Sequence, residues 1–296
     1  MARYNTFQGM GVALITPFDA SGNLDEVTLR QLLRFHLQEG TDFLCILGTT
    51  AETPCLSPAE KETIKRIAVE EVGERIPLLL GCGGNNTATV IEYLQQADLN
   101  GFAGVLIVTP FYNKPSQEGL YQHFVAVAQA SPLPVVLYNV PGRTGVNLEA
   151  KTTLRIANEC ENVVAIKEAS GRIEQIEEII RLAPEGFEVL SGDDAITFEL
   201  LTIGATGVIS VVGNAYPKEF TRMIHSAKNG QWSESLALHR RFSPFYPLMT
   251  VDGNPSGIKS LLSVQGKITN RLRLPLVPAT ESTAEKLRLA NQQFYK

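Results

Sequence analysis

The chain has 296 residues, 44% of them hydrophobic and 19% charged, enough to enclose a large core in one or two domains. The 26 Lys and Arg against 31 Asp and Glu give a formal net charge of −5 with no basic run, which argues against a nucleic-acid or anionic-membrane partner. Four cysteines (Cys45, Cys55, Cys82, Cys160) without C-x-x-C spacing read as reduced thiols rather than a disulfide framework.

At the N-terminus the apolar run is broken by glycines and ends at Thr16-Pro17, so no secretory signal is read there. No apolar stretch reaches the roughly 20 residues of a membrane helix. The expectation is a cytoplasmic protein with no membrane partner. Eight short apolar runs then follow in order: GVALITPF (11–18), FLCILGTT (43–50), IPLLLGCG (76–83), GVLIVTPF (104–111), PVVLYNVP (134–141), VVAIKEAS (163–170), FEVLSGDD (187–194) and TGVISVVG (206–213). Near-continuous hydrophobicity of this kind belongs to parallel strands buried on both faces. Helical segments with start signals separate them, such as Ser57-Pro58-Ala59-Glu60, Asn85-Asn86-Thr87 and Ser116 before Leu120.

Eight strand–helix units predict an α/β fold, a (β/α)8 TIM barrel, over residues 1–225. An open doubly wound sheet uses the same alternation, but no G-x-G-x-x-G follows the first strand. Residues 226–296 read as a C-terminal helical extension packed on the barrel, with no linker rich in Gly, Ser or Pro before it.

A barrel of this type places its chemistry at the carboxyl ends of the strands, and polar residues gather there. The second run ends in Gly48-Thr49-Thr50-Ala51-Glu52, the fourth in Tyr112 and Asn113. The fifth holds Tyr138 and Asn139 before Pro141-Gly142-Arg143-Thr144-Gly145, the sixth Lys167 and Glu168, and the seventh ends in Asp193-Asp194. Lys167 follows Val163-Val164-Ala165-Ile166, where a charged ammonium is costly. Desolvation lowers a buried amine's pKa, and a partly neutral lysine attacks carbonyls to form a Schiff base. The alternative is a lysine in a buried ion pair, with Glu168 as the adjacent candidate. Alternation along a strand turns Glu168 to the other face.

Tyr138 is placed to pass protons, and Arg143 offers a planar fork for a carboxylate. Each residue alone also fits a structural role. Thr49 and Thr50 supply hydroxyls that could hold a keto-acid carboxylate or merely satisfy the loop. The four histidines (His36, His123, His225, His239) lack metal-ligand spacing, Asp193-Asp194 read as a helix cap, and Cys55 and Cys82 have no base beside them.

With GTTAE, YNKP, YNVPGRTG, IKEAS and SGDD in this order, the chain resembles, over essentially its whole length, the 4-hydroxy-tetrahydrodipicolinate (dihydrodipicolinate) synthases. These belong to the pyruvate-dependent class I aldolases, together with N-acetylneuraminate lyase and 2-keto-3-deoxygluconate aldolases. Tyr112 and Arg143 point to the synthases rather than the sister lyases. The resemblance implies condensation of pyruvate with L-aspartate 4-semialdehyde, on the diaminopimelate route to lysine. It implies Lys167 as the Schiff-base lysine and Tyr138 as general acid/base in a relay with Thr49 and Tyr112. Thr50 would hold the pyruvate carboxylate, Ile209 would line the pyruvate site, and Arg143 would take the semialdehyde carboxylate. No metal or organic cofactor is implied beyond the covalent Schiff base. Tyr112 would reach a neighbouring subunit, which implies a homodimer or homotetramer.

Two departures stand out. Ala51 occupies a position that is usually glycine, and a positive φ there would cost an alanine of order 1 kcal/mol. Lysine-inhibited members place a glutamate four residues after the asparagine matched by Asn85, a nearby histidine, and a tyrosine before the relay tyrosine. Here stand Thr89, no histidine from Thr53 to Lys65, and Phe111. The expectation is weak or absent inhibition by lysine.

Overall fold

A computed structural model describes residues 6–295. Each of the eight apolar runs carries one strand: β1 (Gly9–Ala13), β2 (Phe43–Ile46), β3 (Leu78–Gly81), β4 (Gly104–Val108), β5 (Val135–Asn139), β6 (Val163–Glu168), β7 (Glu188–Ser191) and β8 (Gly207–Ser210). They pair in parallel in chain order, and β1 closes on β8 with Gly11 opposite Ile209. The result is a (β/α)8 barrel. The strands are shorter than the runs because the polar tails of the runs form the loops at the carboxyl end.

Alternation divides the core in two. Ala13, Cys45, Leu79, Leu106, Val136, Tyr138, Leu190 and Ile209 fill the barrel interior with Phe7 and Phe43, while Val12, Leu44, Leu80, Ile107, Leu137 and Ile166 pack outward against helices. An irregularity sets β6 against β5: Val163 faces Val135, but Ala165 already faces Val136. Skipping Val164 in this way turns Ala165 and Lys167 to the inside and Ile166 and Glu168 to the outside.

Helices Glu26–Gln38, Pro58–Val72, Thr87–Gln96, Gln117–Ala130, Ala150–Glu159, Ile173–Leu182, Thr197–Thr202 and Pro217–Lys228 surround the strands. Their starts follow the sequence signals. Ser57 and Glu60 form a capping box, Asn86 accepts from the Ala88 N–H at 3.0 Å, and Ser116 from the Gly119 N–H at 3.2 Å. The last of these helices runs past residue 225. Three further helices follow, Trp232–Phe242, Ser256–Val264 and Glu281–Phe294. An aromatic cluster packs this layer on the barrel, with Tyr216 and Phe294 at 4.2 Å between ring centres and Phe242 and Phe294 at 4.9 Å. No helix among the described residues is long and apolar enough to cross a membrane.

Candidate active site

Lys167 lies on β6 between Tyr138 of β5 and Leu190 of β7 and is only 6% exposed. Its Nζ sits 4.3 Å from the centre of the Tyr138 ring, whose face attracts a cation but accepts no proton. Among the described residues it forms no ion pair. Glu168 is occupied elsewhere: its carboxylate accepts from Asn139 Nδ2 at 2.6 Å, Ser170 Oγ at 2.6 Å, the Ser170 N–H at 3.0 Å and Gln175 Nε2 at 3.0 Å. Burial raises the Glu168 pKa above the ordinary carboxylate value, and these donors oppose the rise. The buried pair that the sequence left open is therefore not Lys167–Glu168.

Tyr138 closes the interior cluster at its upper end, 6% exposed beside Leu106 and Val140. Above it opens a cavity of about 710 Å³ lined by Thr49, Gly83, Asn85, Thr89, Tyr138 and Arg143 among others. Among the described residues no acidic side chain lines this cavity, whereas Lys61 and Arg143 do. It therefore suits carboxylates and offers no counter-charge to an ammonium group. Arg143 sits in the short helix Pro141–Thr144 that caps β5 and is exposed, with no ion pair among the described residues.

After β2, residues Thr49–Ala51 form one turn of 3₁₀ helix. Thr49 is half-buried in the cavity wall, while Thr50 is 2% exposed and its hydroxyl accepts from Asn254 Nδ2 at 3.0 Å. That leaves the Thr50 hydroxyl proton free to donate. The left-handed residues of this turn are Leu47 (φ 56°) and Glu52 (φ 55°), and Ala51 is not among them. The alanine thus carries no left-handed strain, and its carbonyl accepts from Thr16 Oγ1 at 2.7 Å. The penalty anticipated for Ala51 does not arise.

Ile209 is 1% exposed on the inner face of β8. Of the candidates, Thr49, Tyr138 and Arg143 line the cavity, Lys167 lies against Tyr138, Thr50 and Ile209 are buried outside the lining, and Tyr112 stands apart. It is 88% exposed on the loop after β4, at φ 71°, where the Asn113 N–H closes on the Phe111 carbonyl at 2.9 Å. A tyrosine held out in a left-handed conformation is strained and unburied within its own chain.

The residues set aside serve structure. His36 and His123 are buried against Thr41 and Thr87, and burial lowers them to about 3 and about 4. Asp193 caps the turn after β7 through the Ala195 N–H at 3.0 Å. Asp194 accepts from the N–H groups of Val211 and Val212, and burial lifts it to about 6. Cys45 and Cys82 are raised by burial to about 11 and about 12, so neither is a ready thiolate.

Sequence reasoning missed three features. At Gly192 a Cβ would come within 3.0 Å of Lys167 Cε, so this glycine makes room for the amine. Asn254 steadies Thr50 from a distant loop. Lys259 and Glu52 form a fully buried ion pair at 2.5 Å. A glycine beside two aspartates and a lysine in an apolar helix were visible, but nothing local marked their partners.

A closed parallel barrel with its polar groups gathered at one mouth, around an enclosed lysine, defines a (β/α)8-barrel enzyme of the lyase type. The chain belongs to the dihydrodipicolinate synthetase family, whose model matches residues 6–293. It is 56% identical over 281 residues to the 4-hydroxy-tetrahydrodipicolinate synthase of Phocaeicola vulgatus, covering 95% of each chain. It is 54% identical to that of Parabacteroides distasonis, covering 97% of each. Among solved structures, the dihydrodipicolinate synthase of Thermotoga maritima superposes with a TM-score of 0.95 at 42% identity, over 98% of this chain and 99% of the other.

Proposed function

We propose that the protein condenses pyruvate with L-aspartate 4-semialdehyde through a Schiff base on Lys167, as a 4-hydroxy-tetrahydrodipicolinate synthase. The observation that carries this reading is a buried lysine without an ion pair, resting on a tyrosine ring beneath a cavity free of acidic groups. In the proposed reaction the Lys167 amine adds to pyruvate C2 and water leaves, giving a protonated imine. Loss of a proton from C3 gives an enamine, whose C3 attacks the aldehyde carbon of the semialdehyde. The semialdehyde's amino group then adds to C2, closes the ring and releases Lys167. The protonated imine is the electron sink for the proton lost from C3, so this reading calls for no metal or organic cofactor.

Roles follow from position. Tyr138 lies against the amine and moves protons during imine formation and release. Thr50 donates its free hydroxyl proton to the pyruvate carboxylate, beside the wall formed by Ile209. Arg143, exposed at the mouth, takes the carboxylate of the second substrate. Tyr112 completes a proton relay with Thr49 in the site of a second subunit. Its exposure and left-handed backbone favour that reading, which makes the working form a homodimer or homotetramer. As a biosynthetic enzyme it would act in the cytoplasm, on the diaminopimelate route to lysine.

The test offers purified protein pyruvate with aspartate semialdehyde, coupled to a reductase, and in parallel N-acetylneuraminate and 2-keto-3-deoxygluconate with pyruvate detection. Turnover of the first pair alone supports the proposal. Preferential cleavage of a keto-deoxy sugar acid would reassign the chain to a sister lyase, and binding without turnover would make it a keto-acid sensor.

A further inference from the structure

Glu52 and Lys259 take no part in the chemistry above, yet neither side chain is exposed to solvent at all. Glu52 Oε1 accepts from Lys259 Nζ at 2.5 Å, and Oε2 accepts from the Arg273 N–H at 3.0 Å. Lys259 also donates to the Arg271 carbonyl at 2.9 Å and lies 4.2 Å from the centre of the Phe18 ring. Burial pulls the Lys259 ammonium down to about 8, against the opposing pull of Glu52. Well-packed apolar residues often stabilise a fold as well as such a pair does, so the pair's use is sought in what it fixes.

What it fixes is the turn after β2. Glu52 directly follows Thr49–Ala51 and is itself left-handed, a conformation that costs a non-glycine residue of order 1 kcal/mol and has to be held by its surroundings. The holding groups come from the C-terminal layer: Lys259 from helix Ser256–Val264, and Arg273 from the segment after it. Asn254, just before the same helix, grips Thr50. Among the described residues, the side-chain hydrogen bond that ties the turn to the rest of the barrel is Thr16 Oγ1 to the Ala51 carbonyl, while Thr53 Oγ1 to the Gly48 carbonyl closes the loop on itself. The three ties from the added layer bear on Thr50 and on Glu52, the residue ending its turn.

We infer that Glu52 and Lys259 are positioning residues that set Thr49 and Thr50 for the keto-acid carboxylate, which makes the C-terminal helical layer part of the pyruvate site. The inference rests on the proposed function, since it needs pyruvate as the first substrate. A merely structural pair would lower stability without singling out one substrate. A positioning pair weakens pyruvate binding and spares the chemical step.

The experiment compares wild type, Lys259→Met and Glu52→Gln in full-length protein by steady-state kinetics, together with hydrogen exchange of the peptide covering residues 47–56. Lys259→Met should raise pyruvate KM at least about tenfold, with kcat and semialdehyde KM within about threefold, and the peptide should exchange faster. Glu52→Gln, which keeps one acceptor but turns an amide N–H2 towards either the Lys259 ammonium or the Arg273 N–H, should likewise raise pyruvate KM at least about tenfold and spare kcat. Unchanged pyruvate KM in folded Lys259→Met overturns the inference, as does an equal loss across kcat and both KM values. Should Lys259→Met fail to fold, Glu52→Gln decides by the same pyruvate criterion. Wild type that does not turn over pyruvate would refute the functional proposal instead, and the exchange comparison then decides the positioning role alone.

Discussion

Gly192→Ala probes the space around the reactive amine with a single methyl group. Gly192 follows β7 and is not left-handed, so alanine brings no backbone penalty of its own. Its Cβ would lie 2.8 Å from Ala169 Cβ, 3.0 Å from Lys167 Cε and 3.1 Å from the Glu168 carbonyl oxygen. Carbon atoms rest at roughly 3.5–4.0 Å. The Glu168 carbonyl cannot retreat easily, because it accepts the Gly192 N–H at 2.7 Å. Ala169 Cβ, the nearest atom, is fixed to its backbone, so the loops must part slightly, and the flexible Lys167 chain must also yield by about 0.5–1 Å. Overpacking of this size costs about 1–3 kcal/mol of stability, and a displacement near 1 Å at a reacting group costs up to about 100-fold in rate. The expected result is kcat lowered about 30- to 100-fold, in protein that still folds and melts only a few degrees lower. The assay is the coupled condensation at saturating substrates, with a thermal melt alongside. Folded Gly192→Ala with kcat at the wild-type level would refute the placement of Lys167 as the reacting group.

Three other outcomes follow from the site and the core. Arg143→Ala should lower kcat/KM for the semialdehyde about 10- to 150-fold, the worth of about 1.5–3 kcal/mol of charge-assisted bonding, while pyruvate KM and melting temperature hold. An equal effect on both substrates would contradict its assignment to the second carboxylate. Millimolar L-lysine should leave the initial rate nearly unchanged, because Thr89 and Phe111 stand in a cavity with no acidic side chain to receive an ammonium group; strong inhibition would contradict this. Burial holds His123 neutral, with its pKa lowered to about 4 from 6.5, so the folded chain binds fewer protons than the unfolded chain between those values. Its contribution to stability is present above pH 6.5 and lost as pH falls towards 4, amounting to about 2 kcal/mol by pH 5. In urea unfolding, His123→Gln should lose about 2 kcal/mol less than wild type between pH 7 and 5, and equal losses would contradict the burial argument.

The barrel was legible because every strand is buried on both faces and therefore apolar almost without interruption, with its polar tail falling on the loop that builds the site. Lys167 was legible for the same reason, as a charge standing in such a run. The sequence set it apart from Lys259, in the apolar Ile258–Leu262 segment, only by strand against helix, and did not show that Lys259 is buried in an ion pair. What separates the two is a partner: Lys259 meets the Glu52 carboxylate, 207 residues away in sequence, while Lys167 has no ion pair among the described residues and lies over the Tyr138 ring. Long-range pairing of that kind leaves no local pattern to read. Backbone conformation was equally hidden at the strand-2 turn, where the left-handed residues proved to be Leu47 and Glu52 on either side of the threonines. Tyr112 shows the limit from the other side, since in the single chain it is exposed and a role in a second subunit stands only as proposed.

The central claim is that Lys167, alone among the buried lysines, is free to capture a ketone. Incubation with pyruvate and borohydride, followed by proteolysis and peptide mass measurement, tests it directly. The expected result is a reduced pyruvyl group on the peptide bearing Lys167 and none on those bearing Lys65 or Lys259, whose ammonium groups are engaged by Glu62 and Glu52. An adduct on Lys259, or full condensation activity in Lys167→Ala with no adduct anywhere, would contradict it.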